Sequence, residues 1–320
     1  MPILDSTLDA RSDEYRANRG KMLEMLATLD ELHGEVAQGG GEEAMARLAA
    51  RDKMPIRERI ALVLDRDSPF MEISPLAAWR SNFNVGSGFV VGLGVIEGTE
   101  CLILGHDPSV RAGAFNQFNA KKLMRGLEIA RVNRLPYVQF VESAGADLRG
   151  EDGGDPEAAI RREGGHFAES GRLFYEITEL SKMRIPTISV VFGASTAGGA
   201  YQPGMSDYNI FIKKQSKVFL GGPPLVKMAT GEDADEESLG GAEMHCQVAG
   251  TSEFIAEDDA DGIRLAREVV AKLGWNTTAP KPALKAFGAP RYPAEELVGV
   301  VPADYRRPYD CREVIARVVD

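Results

Sequence analysis

The sequence predicts an α/β protein in which helix–strand units stack side by side behind a helical N-terminal arm. Three observations carry this. Helical periodicity dominates as far as Arg51, whereas from Gly88 onward the chain turns to runs rich in β-branched residues. Two later segments repeat one pattern of helix, proline, buried strand and small-residue loop, and their prolines, Pro136 and Pro186, stand fifty residues apart. A repeat of that period implies units that each cover the apolar face of the next.

The elements follow in order. Met22, Met25, Leu26, Leu29, Leu32 and Val36 recur at spacings of three and four, predicting a helix from Ser12 to Val36. Ser12, Asp13 and Glu14 suit its N-terminus, where a capping oxygen and negative charge meet free amides. Gly39-Gly40-Gly41 ends it, and a shorter helix is expected from Glu42 to Arg51. This arm reads more naturally as packing or oligomer surface than as chemistry. Phe89 to Ile96, then Glu97-Gly98, then Cys101 to Leu104 reads as a β-hairpin with glycine at its turn. Leu123, Met124, Leu127 and Ala130 share a face of a helix from Asn119 to Val132, and Tyr137 to Val141 is a strand. The second unit repeats this with a helix from His166 to Met183 and a strand from Thr187 to Phe192. Residues 147–165 read as a charged, Gly-rich surface loop or lid, and the acidic run Glu232 to Glu237 as a solvated turn. Six prolines after Gly274 read as a linker, and a last helix from Cys311 to Val319 reaches the end of the chain without a stop signal.

Composition excludes several classes. The net charge is −11 over 320 residues, so a nucleic-acid partner, which needs a basic face, is not expected. No apolar run approaches the roughly 20 residues of a membrane helix. The N-terminus lacks the basic and apolar blocks of a secretory signal. Cys101, Cys246 and Cys311 are too few and scattered for a disulfide framework or a zinc site. A cytoplasmic, reducing setting is expected.

Two loops stand out as candidates for chemistry. Ala194 to Ala200 (ASTAGGA) follows a buried strand, and its small residues let backbone amides approach a ligand closely. Ser143-Ala144-Gly145-Ala146 occupies the equivalent place in the other unit, so neighbouring strand ends could each supply one amide to an oxyanion. Tight strand-to-helix packing without any ligand explains the same residues. Upstream of both loops, Lys121, Lys122 and Arg125 form a basic cluster on or near one face at the start of a helix whose dipole also favours anions, preceded by Arg111 and Gly113. A solvated helix face is the alternative. Neither an H-x-x-x-H nor a C-x-x-C pattern suggests a metal, and neither Ser143 nor Ser195 sits in a G-x-S-x-G elbow. Backbone amides, with a base from elsewhere, fit better than a side-chain nucleophile.

Several runs resemble one family. Lys53–Ile60 (KMPIRERI), Asp67–Ile73 (DSPFMEI), Thr196–Tyr201 (TAGGAY), Gly222–Lys227 (GPPLVK), Leu239–His245 (LGGAEMH) and Asp310–Arg317 (DCREVIAR) look like the β subunit, or carboxyltransferase, of biotin-dependent acyl-CoA carboxylases. The wording is most similar to the methylcrotonyl-CoA and branched acyl-CoA group, without fixing the acyl group.

The resemblance implies a crotonase-like fold of stacked ββα units. It implies transfer of a carboxyl group from carboxybiotin, held on a partner carrier, to an acyl-CoA, with released biotin taking the proton. Carried over by position, Gly198 and Gly199 would be oxyanion donors, with Gly145 and Ala146 beside the thioester. Arg111, Gly113, Lys121, Lys122 and Arg125 would lie toward coenzyme A. The implied partners are a biotin carboxylase and biotin carrier, and further copies in a dimer or hexamer, with no metal held by this chain. The family's Ser-Gly-Gly-Ala is here Ser143-Ala144-Gly145-Ala146, a departure that adds a methyl group. The expected division is a helical arm (1–52), the CoA-binding domain (53–275), and a linker and helix (276–320) leading to an absent second domain. A stand-alone crotonase-like hydratase or decarboxylase, using Glu142, and a non-catalytic assembly piece are the alternatives.

Overall fold

Glu97 and Gly98 both adopt positive φ, 49° and 71°, and this two-residue turn sets the first hairpin of the sheet. The structure, a computed structural model, describes residues 4–147, 171–275 and 288–319. The hairpin joins β2 (Phe89–Ile96) to β3 (Thr99–His106), with Ile96 opposite Thr99. The short β1 (Met71–Glu72) adds to β2 at the edge. From β3 the sheet turns parallel, through β4 (Tyr137–Ser143), β5 (Thr187–Thr196), β6 (Tyr208–Ile212) and β8 (Phe254–Ala256). β7 (Lys217–Phe219) pairs with the far end of β5.

The fifty-residue repeat is the register itself. Tyr137 pairs with Thr187, and the offset holds to Val141 with Val191. Each proline sits just before its strand, and its carbonyl accepts from the neighbouring strand, Leu102 N–H of β3 to Pro136 and Tyr137 N–H of β4 to Pro186, both at 2.9 Å. A ring that donates nothing is tolerated there because the carbonyl alone serves the ladder.

Alternation along the strands divides the core into two layers. Val90, Ile103, Val138, Phe140, Ile188 and Val190 face one side, under α3 (Ile56–Val63) and α9 (Asp259–Leu273). Phe89, Val91, Leu102, Leu104 and Tyr137 face the other, under α4 (Gln117–Asn133) and α5 (residues 171–182). Strands buried on both faces are what a parallel sheet between helices requires.

The chain separates into two compact units, residues 35–277 and residues 1–34 with 278–320. This differs from the expected division. Residues 35–52, including α2 (Glu42–Ala49), fall with the sheet, and α1 (Asp13–Ala37) contains the boundary. The Pro-rich tail, expected as a linker, instead packs within the second unit. There Tyr15, Val300 and Ala316 are buried. The Arg317 guanidinium reaches Glu296 at 2.7 Å and Glu313 at 2.8 Å, and Glu313 accepts from the Thr7 N–H at 2.7 Å. Prolines there mark irregular backbone, and irregular backbone can still bury side chains. The last helix is Cys311–Ile315, shorter than expected, with Asp310 capping it.

Along α1, Met25, Leu26 and Leu29 remain at least 40% exposed, so its apolar stripe is mostly not core. The acidic run is exposed apart from Ala234, and Asp235 caps the short helix that follows it, accepting from Glu237 and Ser238 N–H. The loop expected over residues 148–165 and the start of the His166 helix lie outside the described residues. Among the described residues, no helix is long and apolar enough to cross a membrane.

Candidate functional site

Both small-residue loops leave the same ends of adjacent parallel strands. Beyond Val141 and Val191 the register shifts, and the next pair is Ser143 with Ser195. Glu142 alone separates these pairs on β4, whereas Phe192, Gly193 and Ala194 do so on β5. The surplus on β5 bulges the strand end and re-aims the chain that follows.

That chain forms a tight 3-10 turn, Ala197–Ala200, and then the short α6 (Tyr201–Gly204). Ala197 takes a left-handed φ of 49° to enter the turn. The two glycines differ in kind. Gly198 is exposed, with no atom within 4 Å of where a Cβ would stand. Gly199 is buried, and a Cβ there would meet the Ser195 Oγ at 3.0 Å and the Ser143 Cβ at 3.1 Å. With i→i+3 bonding, the Gly199 N–H turns back toward Thr196, while the Gly198 N–H has no acceptor inside the turn.

The first loop divides in the same way. Gly145 is buried with φ 87°, and its N–H donates to the Ser143 Oγ at 3.2 Å. A Cβ on Gly145 would stand 3.3 Å from the Thr196 carbonyl oxygen, so the two loops touch. Ala146 is exposed. The extra methyl of Ala144 points to the surface, and its N–H is occupied by the Ala112 carbonyl at 3.1 Å. Of the two expected oxyanion donors, Gly198 faces open space and Gly199 is packed beneath it; of the two residues expected beside the thioester, Ala146 is exposed and Gly145 is buried.

Residues 111–115 brace this loop. Arg111, Ala112 and Gly113 are successively left-handed, with φ of 49°, 53° and 66°. The turn lays Phe115 alongside Ala146 as an isolated parallel bridge. Phe115 N–H donates to the Gly145 carbonyl and Asp147 N–H to the Phe115 carbonyl, both at 2.8 Å. The Arg111 guanidinium bonds the Asp147 carboxylate at 2.7 Å. Gly113 has its role here too, because a Cβ would collide with the Glu142 carbonyl oxygen. Beneath the brace, His106 is fully buried, stacked on Phe89 at 4.3 Å and edge-on to Phe115 at 5.4 Å. Burial drives its pKa down to about 3, and the Glu142 carbonyl, facing the ring without a full hydrogen bond, opposes this only in part. The ring is neutral at physiological pH.

Glu142 points away from the two loops, as strand alternation demands once Ser143 faces Gly199. Its carboxylate pairs with Lys53 and lies 3.5 Å from Arg59. Arg59 in turn holds Asp259 at 2.9 Å and stacks on Phe192. A carboxylate held by two cations on the far face of the sheet is poorly placed to act as acid or base at Gly198.

The basic cluster is rearranged. Lys121 and Arg125, one helical turn apart, line an open cleft of about 300 Å³ with Ala120, Met124, Glu128 and Arg172. Lys122 does not share that face. It is 3% exposed, and its ammonium bonds the Phe89 carbonyl at 2.8 Å and Glu72 at 3.3 Å. Burial lowers its pKa, and Glu72 partly restores it. The sequence carried the signal: Lys122 falls on the stripe of Asn119, Leu123, Gly126 and Leu127, all buried. The amides at the start of α4 are not open to an anion as expected, since the Asn116 side chain accepts from Phe118 and Asn119 N–H. Sequence reasoning missed Arg172, which reaches the cleft only because α5 packs beside α4.

The carboxyl transferase domain family matches residues 48–320. A probable biotin-dependent acyl-coenzyme A carboxylase beta2 subunit of Mycobacterium tuberculosis is 48% identical over 99% of this chain and 58% of its own length. The mitochondrial methylcrotonoyl-CoA carboxylase beta chain of Dictyostelium discoideum is 40% identical over 99% of this chain and 53% of its own. Among solved structures, the beta subunit of Pseudomonas aeruginosa geranyl-CoA carboxylase superposes with a TM-score of 0.87 at 42% identity, covering 99% of this chain and 57% of that one. The crotonase-like fold expected from the sequence is the fold of these neighbours. The chain spans a little over half the length of the curated relatives it matches.

Proposed function

Since the chain belongs to the carboxyl transferase domain family, we propose that it is the acyl-CoA-holding part of a biotin-dependent acyl-CoA carboxylase. The observation that carries this reading is the pair of exposed residues, Ala146 and Gly198, on touching loops at the ends of adjacent parallel strands. Their N–H groups are exposed donors, and neither has a backbone acceptor that the local turn supplies. Aimed at a thioester oxygen, such donors stabilise the enolate left when the neighbouring carbon loses its proton. Each is worth about 2.7–4 kcal/mol on the developing charge.

The proton needs an acceptor, and the loop residues 143–146 and 195–200 are all Ser, Thr, Ala or Gly. Glu142 is committed to Lys53 and Arg59. Carboxybiotin, brought by a partner carrier, would supply the carboxyl group and, once it is released, the base. The chain's own part is to hold the thioester, polarise its carbonyl and leave the Gly198 side open to the incoming group. Lys121, Arg125 and Arg172 suit the phosphates of coenzyme A, with Met124 offering apolar surface to the adenine. A biotin carboxylase, a biotin carrier and further copies of this chain are the partners that this reading calls for.

Calorimetric titration with an acyl-CoA and with free coenzyme A tests the binding half. Saturable binding is expected for both. Supplying biotin carboxylase, biotinylated carrier and a biotin-binding carboxyltransferase domain should then give acyl-CoA-dependent fixation of labelled bicarbonate that avidin blocks. No binding, together with no fixation, rejects the proposal. Acyl-CoA hydration by the chain alone, abolished by Glu142→Gln, would favour a hydratase instead.

A further inference from the structure

The Arg111 guanidinium, expected at coenzyme A, is held elsewhere. It bonds the Asp147 carboxylate at 2.7 Å and lies 4.5 Å above the Phe83 ring. Phe83 is itself fixed edge-on against Phe118 of α4. The Asp147 side chain is only 2% exposed, and a carboxylate that deep stays ionised only beside a cation or several donors. Arg111 also adopts φ 49°, a left-handed conformation unfavourable for a side chain of its kind.

Strain and burial thus meet at this contact, which joins the first residue of the brace to the last described residue of the loop. Between these ends run three backbone bonds: Ala144 N–H to Ala112, Phe115 N–H to Gly145 and Asp147 N–H to Phe115. Ala146 is the residue they enclose. A loop at a strand end otherwise samples many directions, and an oxyanion donor loses its value when its N–H wanders by tens of degrees.

We infer that Arg111 is a positioning residue: through Asp147 it fixes the direction of the Ala146 N–H, and it does not bind the coenzyme A phosphates. This rests on the proposed function for its consequence at the thioester, but the brace itself is readable without ligand.

The test compares Arg111→Met, Arg111→Lys and Asp147→Asn in the chain. Two signals are recorded: amide hydrogen exchange over residues 144–147, and the stretching frequency of a 13C-labelled thioester carbonyl at saturating acyl-CoA. Arg111→Met and Asp147→Asn should each speed exchange by about tenfold, the factor expected for a lost charge-assisted contact. Both should remove much of the carbonyl shift while leaving acyl-CoA affinity within about threefold. Arg111→Lys, which keeps the charge within reach of Asp147, should restore most of both signals.

If Arg111→Met weakens acyl-CoA binding strongly and leaves exchange and carbonyl frequency unchanged, Arg111 is a phosphate contact and the inference is overturned. If the unmodified chain binds no acyl-CoA, the functional reading fails. The exchange data still decide the brace in that case: acceleration in both variants upholds it and unchanged exchange overturns it. Unfolding of Arg111→Met would leave the decision to Asp147→Asn, which removes the same pairing without altering the strained backbone.

Discussion

Ser143 and Ser195 are register partners across β4 and β5, and Gly199 lies directly over both side chains. The glycine pair therefore divides its duties. Gly199→Ala should overpack this contact and lower stability by about 1–3 kcal/mol. Gly198→Ala meets open space and should leave the melting temperature unchanged, while its methyl group intrudes where the thioester oxygen is proposed to sit. Thermal unfolding and acyl-CoA titration of the two variants separate the effects. A stability loss in Gly198→Ala matching that in Gly199→Ala would refute the division.

Lys121 and Arg125 face a cleft, whereas the Lys122 ammonium is buried against Glu72 and the Phe89 carbonyl. Charge reversal at Lys121 or Arg125 should weaken acyl-CoA binding by about tenfold at low salt and by less at high salt. Lys122→Met should instead cost about 1–3 kcal/mol of folding stability, because the carbonyl and part of Glu72 lose a buried partner. Its acyl-CoA affinity, measured well below the melting transition, should not change.

Glu142 belongs to the charge network under α3 and α9. Glu142→Gln removes the charge facing Lys53 and Arg59 and should destabilise the fold by about 1–3 kcal/mol. Acyl-CoA affinity and the thioester carbonyl frequency should stay as they are. Calorimetry paired with denaturant unfolding reads both, and loss of the carbonyl shift at unchanged stability would place Glu142 in the site after all.

His106 gives the sheet unit a predictable acid sensitivity. Its folded pKa of about 3 lies below the ordinary histidine value of 6.5, so the unfolded chain binds this proton more readily. Stability from the neutral ring is fully present above pH 6.5 and is lost as pH falls from there toward 3. The slope is about 1.4 kcal/mol per pH unit for one proton. His106→Phe should flatten that stretch of the stability–pH curve, and an unchanged curve would show that the ring titrates normally.

Glu313 acts at lower pH. Burial alone would raise its carboxyl, but hydrogen bonds from Ser6, the Thr7 N–H and Arg317 outweigh this and hold it at about 2. The stability it lends is present above the ordinary value of 4.5 and is lost as pH falls through 2. Glu313→Gln should lower the melting point at neutral pH and remove this acid-dependent part. Limited proteolysis near Ser6 would report the same release.

By itself the sequence determined the α/β class, the hairpin at Glu97-Gly98, the two repeated units and the two small-residue loops. These are written in local periodicity, turn residues and the proline spacing, and the fifty-residue offset reappears as the pairing of Tyr137 with Thr187. It also pointed to Ala146, Gly198, Lys121 and Arg125, but not to Glu128 and Arg172 across the cleft or to the Asp147 carboxylate that meets Arg111. The tertiary structure alone decided how those residues are used. Lys121 and Lys122 are neighbours in the chain, yet a helix turns about 100° per residue; the helical stripe separates them, and only the packing of α4 shows what the Lys122 ammonium meets, the Phe89 carbonyl and Glu72. Gly198 and Gly199 are identical in sequence, and only the bulge at the end of β5 exposes one and buries the other. Arg111 reads as a free cation until the left-handed turn at 111–113 brings it to Asp147. Charge, exposure and direction depend on what lies across from a residue, and strands and loops distant along the chain supply that.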